Sequence, residues 1–184
     1  MKKILICLAA MVMAVSVGCS GKAADKPETD TSAQSAVEEG KFDFYSAVAD
    51  MKICGHDVSL PCTFRELGEG FAYDTLIEDS KYMFSTLRHN GEDVGVIYLE
   101  PRSDGKYEES QIVSLILNSK SEASVKGVTN ESTEEDIKKA LGEDFTKTDL
   151  NIDYGSEGNG FIRILLNSVT NTPSGFTIMM PTAE

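Results

Sequence analysis

The sequence predicts an α+β fold, an antiparallel sheet with one or two short packed helices. Three observations carry this expectation. Between residues 71 and 180, runs of β-branched and aromatic residues recur at strand length, most of them alternating in character. Asn90-Gly91 lies between two such runs, a strong hairpin signal. Ser132 to Gly142 has helical periodicity but is too short to stand alone, so it must pack on a sheet.

The first element reads as an address rather than part of the fold. Lys2 and Lys3 precede an apolar run from Ile4 to Val15, the make-up of a signal peptide over residues 1–18. Val17-Gly18-Cys19-Ser20 resembles a bacterial lipobox, with Ser16 where that pattern usually has Leu. The resemblance implies lipid (palmitate) on Cys19 and anchoring on the extracytoplasmic face of the cell membrane. An ordinary signal peptide with an incidental Cys19, or a buried N-terminal helix, are the other readings of these residues. No other stretch approaches the roughly 20 apolar residues of a membrane span. Residues 19–41 then read as a lipid-anchored disordered tether, because past Cys19 only Val37 is an aliphatic residue larger than Ala. As a flexible chain this segment spans roughly 25 Å.

Residues 42–184 form the α+β domain, long enough for one core. Phe42-Asp43-Phe44-Tyr45 opens it with a strand-like run. A short helix is predicted from Cys62 to Leu67. Phe71, Tyr73 and Thr75 then alternate with Ala72, Asp74 and Leu76, and Tyr82, Phe84 and Thr86 with Met83, Ser85 and Leu87. Val94 to Leu99 is the strand after the hairpin, ended by Pro101 and Gly105. Gln111 to Leu117 reads as a strand covered on both faces, since its apolar run is nearly continuous. In the helix, Ser132 and Glu135 make a capping box. Ile137, Ala140 and Leu141 share a face, acids lead and Lys138 and Lys139 trail as the dipole prefers, and Gly142 is the C-cap. Leu150, Ile152 and Tyr154 alternate with polar residues, residues 155–160 form a turn, and Phe161 to Leu166 and Phe176 to Met180 are the last strands.

Leu67-Gly68-Glu69-Gly70-Phe71 is echoed 74 residues later by Leu141-Gly142-Glu143-Asp144-Phe145. Two tandem helix-then-strands units, 42–118 and 119–184, would explain the echo. The helix Ser132 to Gly142 resembles the Thr/Ser–acidic–Val/Ile–x–x–Leu–Gly helix of small lipoproteins, among them the β-lactamase-inhibitor-like domains and the small lipoprotein of the outer-membrane assembly machine. Leu60 to Gly68 is similar to a segment of uncharacterised surface lipoproteins of Gram-positive gut bacteria. The resemblance implies helices packed on an antiparallel sheet, sometimes in tandem, and a binding style without a target.

Composition excludes several functions. A net charge of −13 argues against nucleic-acid binding, which needs a basic surface. Without residues 1–18 the chain has 15 basic and 30 acidic residues, a net −15. The bland meaning is solubility and the sharp one a basic partner or cations. Of the four cysteines, Cys7 leaves with the signal and Cys19 carries lipid. Cys54 and Cys62 are an even pair that can form a disulfide in an oxidising compartment, or stay reduced and packed. His56 and His89 lie in no metal-ligand spacing, so neither a metal nor a cofactor is expected. Asp149-Leu150-Asn151-Ile152-Asp153 copies the start of a calcium loop but lacks its Gly and its final Glu. No nucleophile elbow or phosphate loop is present, so no catalytic residue is expected.

The expected function is a non-enzymatic protein- or peptide-binding module at the cell envelope, with an unknown envelope or extracellular protein or peptide as partner. It would present a sheet face and two hairpin tips, with His89, Asn90, Glu92 and Asp93 in one and Glu157 and Asn159 in the other. The alternatives are a structural component of envelope assembly and a carboxylate-dependent hydrolase.

Overall fold

The computed structural model describes residues 41–79 and 81–182. The signal peptide, Cys19 and all of the tether but its last residue lie outside the described residues.

The described residues open on α1 (Phe44–Val48), not on a strand. Asp43 decides this: its carboxylate accepts the Ser46 N–H at 3.2 Å and caps the helix, while Phe44, Ala47 and Val48 face inward. β1 (Met51–Ile53) and β2 (His56–Val58) follow as a tight hairpin that the sequence reading missed. Its corner, Cys54-Gly55, has φ of 52° and 83°. Cys54 was an unexpected turn residue because such corners usually carry Asn or Asp. The short helix expected from Cys62 to Leu67 is a single 3₁₀ turn, Phe64–Leu67.

The strands are β3 (Phe71–Tyr73), β4 (Ile77–Asp79), β5 (Tyr82–His89), β6 (Glu92–Leu99), β7 (Ile112–Asn118), β8 (Ser124–Val125), β9 (Phe145–Lys147), β10 (Asn151–Ser156), β11 (Gly160–Leu166) and β12 (Pro173–Met179). α2 (Glu134–Leu141) lies between β8 and β9. Its cap is one residue later than expected. Thr133 and Asp136 form the capping box, and Ser132 instead accepts the Thr129 N–H at 3.0 Å. Both residues of Ser132-Thr133 can cap, and the position of Ile137 and Leu141 in the core selects Thr133.

The large sheet is antiparallel throughout, in the order β3-β5-β6-β7-β12-β11-β10-β9, with β4 beside β3 on the same edge of β5. β2, β1 and β8 make a small second sheet. The first half of the chain enters the large sheet at the β3 edge and the second at the β9 edge. They meet where β7 pairs with β12. The Asn90-Gly91 hairpin forms as expected, both residues having positive φ (51° and 86°).

Register sorts the side chains. Leu87, Gly95, Leu117, Phe176, Ile164 and Ile152 lie opposite one another across six strands and face the core. Ser85, Ile97, Leu115, Ile178, Ile162 and Tyr154 form the next core row. α1, α2 and the small sheet supply Val48, Met51, Ile53, Ile137 and Leu141 to the same core. A Cβ on Gly95 would collide with the Ile116 carbonyl, so the row needs a glycine there. β7 therefore differs from expectation. Ile112, Leu115 and Leu117 are buried, but Val113, Ser114 and Ile116 are only half-buried, because no described helix covers the second face. Leu150 is likewise exposed, just before β10 begins.

Candidate functional site

The second face of the large sheet is the candidate site. Every β-strand shows alternate residues to opposite faces, so the core rows dictate what this one carries. Ile77, Phe84, Tyr98, Ser114, Met179 and Phe161 stand opposite one another on successive strands, from β4 to β11. Phe84 and Tyr98 stack, their ring centroids 5.5 Å apart. Ile77 and Met179 are 54% and 36% exposed, high for such side chains. The neighbouring row is Thr86, Val96, Ile116, Thr177, Arg163 and Asp153. Arg163 is bound by both oxygens of Asp153, at 2.8 Å each, and its guanidinium lies 5.2 Å from the Phe161 ring centroid.

The face is thus an apolar and aromatic stripe bounded by neutralised ion pairs. Arg88, at the far end of β5, is held by Asp74 at 2.9 and 3.0 Å and by Asp93 at 3.1 Å. Stripes rich in aromatics and Met with paired charges at their margins are the composition of docking surfaces.

The expected contact residues do not form one cluster. Strand direction reverses at each step, so the β5–β6 tip and the β10–β11 tip lie at opposite ends of the sheet. The first tip is also tied up internally. Glu92 pairs with Lys120 at 3.0 Å and Asp93 with Arg88. The Asn90 N–H donates to the Gly70 carbonyl at 2.9 Å. His89 packs on Phe71 and on His56, with centroids 4.7 and 5.3 Å away. Both histidines of the chain therefore meet in one aromatic cluster, though 33 residues separate them in sequence. At the second tip, Asn159 bonds Ser156 through backbone and side chain, while Glu157 lies beside Phe161, Met179 and Met180.

Cys54 and Cys62 stand as free thiols, the reduced of the two arrangements their spacing allows. Burial pushes the Cys62 thiol up to about 11, with the Glu66 charge adding to it. Burial also raises Cys54, with Glu122 second. Neither thiol is activated as a nucleophile would need.

Among the described residues no group of three or more His, Cys, Asp or Glu is placed to hold a metal ion, and no helix is long and apolar enough to cross a membrane. The carboxylates with shifted pKa are Asp57, Glu66, Asp104, Glu134 and Asp136, all shifted down and all at the surface. Hydrogen bonds from Lys52, Thr63, Arg102, Lys138 and Thr133 respectively are the main causes. A general acid requires the opposite shift.

Comparison of the chain with protein-family models, with curated proteins and with solved structures gives no match.

Proposed function

We propose that the chain is an extracytoplasmic lipoprotein whose folded body is a non-enzymatic protein- or peptide-binding module at the cell envelope. Lipid on Cys19 would hold it at the membrane, with residues 19–41 as the tether. The observation that carries the binding role is the continuous stripe Ile77–Phe84–Tyr98–Ser114–Met179–Phe161 on a sheet face that no described helix covers. The contact surface of this reading is the face itself and the β10–β11 tip beside it. Glu92 and Asp93 become residues that hold the opposite tip in shape.

The finer fold reading belongs here too. We propose that the body is two tandem helix-then-strands units, 42–118 and 119–184. What supports this is a shared order of parts. Each has a turn of two left-handed residues (Cys54-Gly55, Lys126-Gly127), then a Thr-led capping box, then a glycine cap, then a strand begun by Phe.

Two measurements test the function. Cys19→Ser should move the protein from the membrane fraction to the soluble fraction, and a wild type already soluble removes the anchor. The full chain, used as bait on envelope extract, should retain a partner that the Phe84→Asp/Phe161→Asp double variant loses. Equal capture by both would take the docking role away from this face.

A further inference from the structure

At the end of the open face nearest the β10–β11 tip, the stripe drops into a groove of about 560 Å³. Tyr82, Tyr98, Ile116, Met179 and Met180 line it, with Glu100 at its wall. A smaller depression shares Met179 and Met180 and continues past Phe161 to Glu157. We propose that this groove binds a peptide whose large apolar or aromatic anchor side chain is flanked by Lys or Arg. The inference rests on the docking role of the open face and names the chemistry of what docks there.

The floor argues for the anchor. Two Tyr rings, an Ile and the Met179 thioether form a concave apolar surface that is solvated when empty, so an apolar side chain gains by displacing that water. The Met179 side chain is unbranched and polarisable, able to fit anchors of different shape. The volume lies in the range of pockets that enclose compact ligands.

The rim argues for the flanks. Arg88 and Arg163, the two arginines of this face, are already neutralised by Asp74, Asp93 and Asp153. Lys81 is the cation lining the groove. Against it stand Glu100 on the wall and Glu157 at the adjoining depression. Neither carboxylate forms an ion pair within 4 Å among the described residues, and the whole chain has a net charge of −13. With Glu100 and Glu157 set against Lys81, the charged rim of the groove is net negative. It draws cationic flanks in and raises the encounter rate, and it repels acidic segments and anionic lipid headgroups.

The test uses the full chain in detergent and three fluorescein-labelled nonapeptides read by fluorescence anisotropy. One has a central Phe flanked by Lys, the second has Glu in place of Lys, and the third keeps Lys but has Ala at the centre. The first should bind at least tenfold tighter than the other two, and less tightly as salt rises. Glu100→Lys, at an exposed position, should weaken it about tenfold, whereas Glu92→Lys at the opposite end should leave it unchanged. Binding of the Glu-flanked peptide as tightly as the Lys-flanked one, or indifference to Glu100→Lys, would overturn the inference. So would displacement of the peptide by phosphatidylglycerol vesicles, or a dimer in sedimentation that Tyr98→Asp dissolves. If an envelope partner is captured through Phe84 and Phe161 while the Lys-flanked peptide fails to bind, this inference falls alone. If capture fails as well, the docking role falls with it.

Discussion

The two halves of the large sheet begin with the same boundary signals and fill them with different helices. In the first half, Thr63 opens a 3₁₀ turn that Gly68 closes. In the second, Thr133 opens α2 and Gly142 closes it, with φ, ψ of 97°, −179° against 107°, −171° at Gly68. The cap-to-glycine interval is four residues longer in α2, about one α-helical turn. An added turn returns to the same side of the helix. Leu67 and Leu141, each just before its glycine, are therefore both buried (1% and 3%), and each half delivers a leucine to the core and a Phe to the next strand. In both halves a cap and a terminal leucine thus mark where the helical segment meets the sheet, while the interiors differ by one turn.

The largest test of this comparison falls on the seam. Phe176 is fully buried on β12, opposite Leu117 of β7, where the halves meet. Phe176→Ala should cost about 3–5 kcal/mol, read as a lower urea midpoint, with one transition for the whole body. Two separate transitions in the wild type would break the picture of a single cooperative sheet.

A smaller effect separates the two caps. At Thr133, the Asp136 N–H donates to the hydroxyl at 3.2 Å, while the Thr133 N–H donates to the Asp136 carboxylate at 2.8 Å. At Thr63, the N–H and the hydroxyl both donate to Glu66, at 2.7 and 2.9 Å. Thr133→Ala should destabilise by about 0.5–2 kcal/mol in thermal melts, and Thr63→Ala by less, since a single turn has fewer free N–H groups for its cap to satisfy. Equal losses would show that the longer helix depends no more on its cap than the short turn does.

The smallest effect is electrostatic. Lys138, and then Lys147, hold the Glu134 carboxyl down to about 2, whereas Glu66 is lowered by hydrogen bonds from Thr63 with no cation among its causes. A carboxyl with a depressed folded pKa adds stability above its unfolded value, here 4.5, and that contribution is lost as pH falls toward about 2. Melting temperature should fall across this window, and Glu134→Gln should flatten the fall more than Glu66→Gln. The reverse order would place the acid sensitivity in the first half.

Much of the fold was legible because its signals are local. The Asn90-Gly91 turn, the strands from Tyr82 to Leu117 and the glycine that ends α2 follow from backbone preference and side-chain alternation within a few residues. The misreadings fall where two local signals competed. Phe42 to Tyr45 looks like a strand by its aromatics, but the Asp43 cap and the burial of Phe44 and Val48 make it a helix. Ser132 and Thr133 both cap well, and only the core position of Ile137 and Leu141 separates them. Of the candidate site, the turn between β10 and β11 was legible and the stripe beside it was not. Phe84, Tyr98, Met179 and Phe161 are scattered over nearly a hundred residues, and each one alone is an ordinary strand residue.

The sequence by itself determined the antiparallel class of the sheet, the turns at Asn90-Gly91 and residues 155–160, the helix before β9 and the acidic character of the body. Each depends on residues close together in the chain. Only the tertiary structure decided that the halves enter from opposite edges and pair β7 with β12, which puts the two tips at opposite ends, His56 on His89 and one aromatic stripe across the open face. Those outcomes depend on strand order and register, and pairings between distant segments are chosen by how the whole core packs.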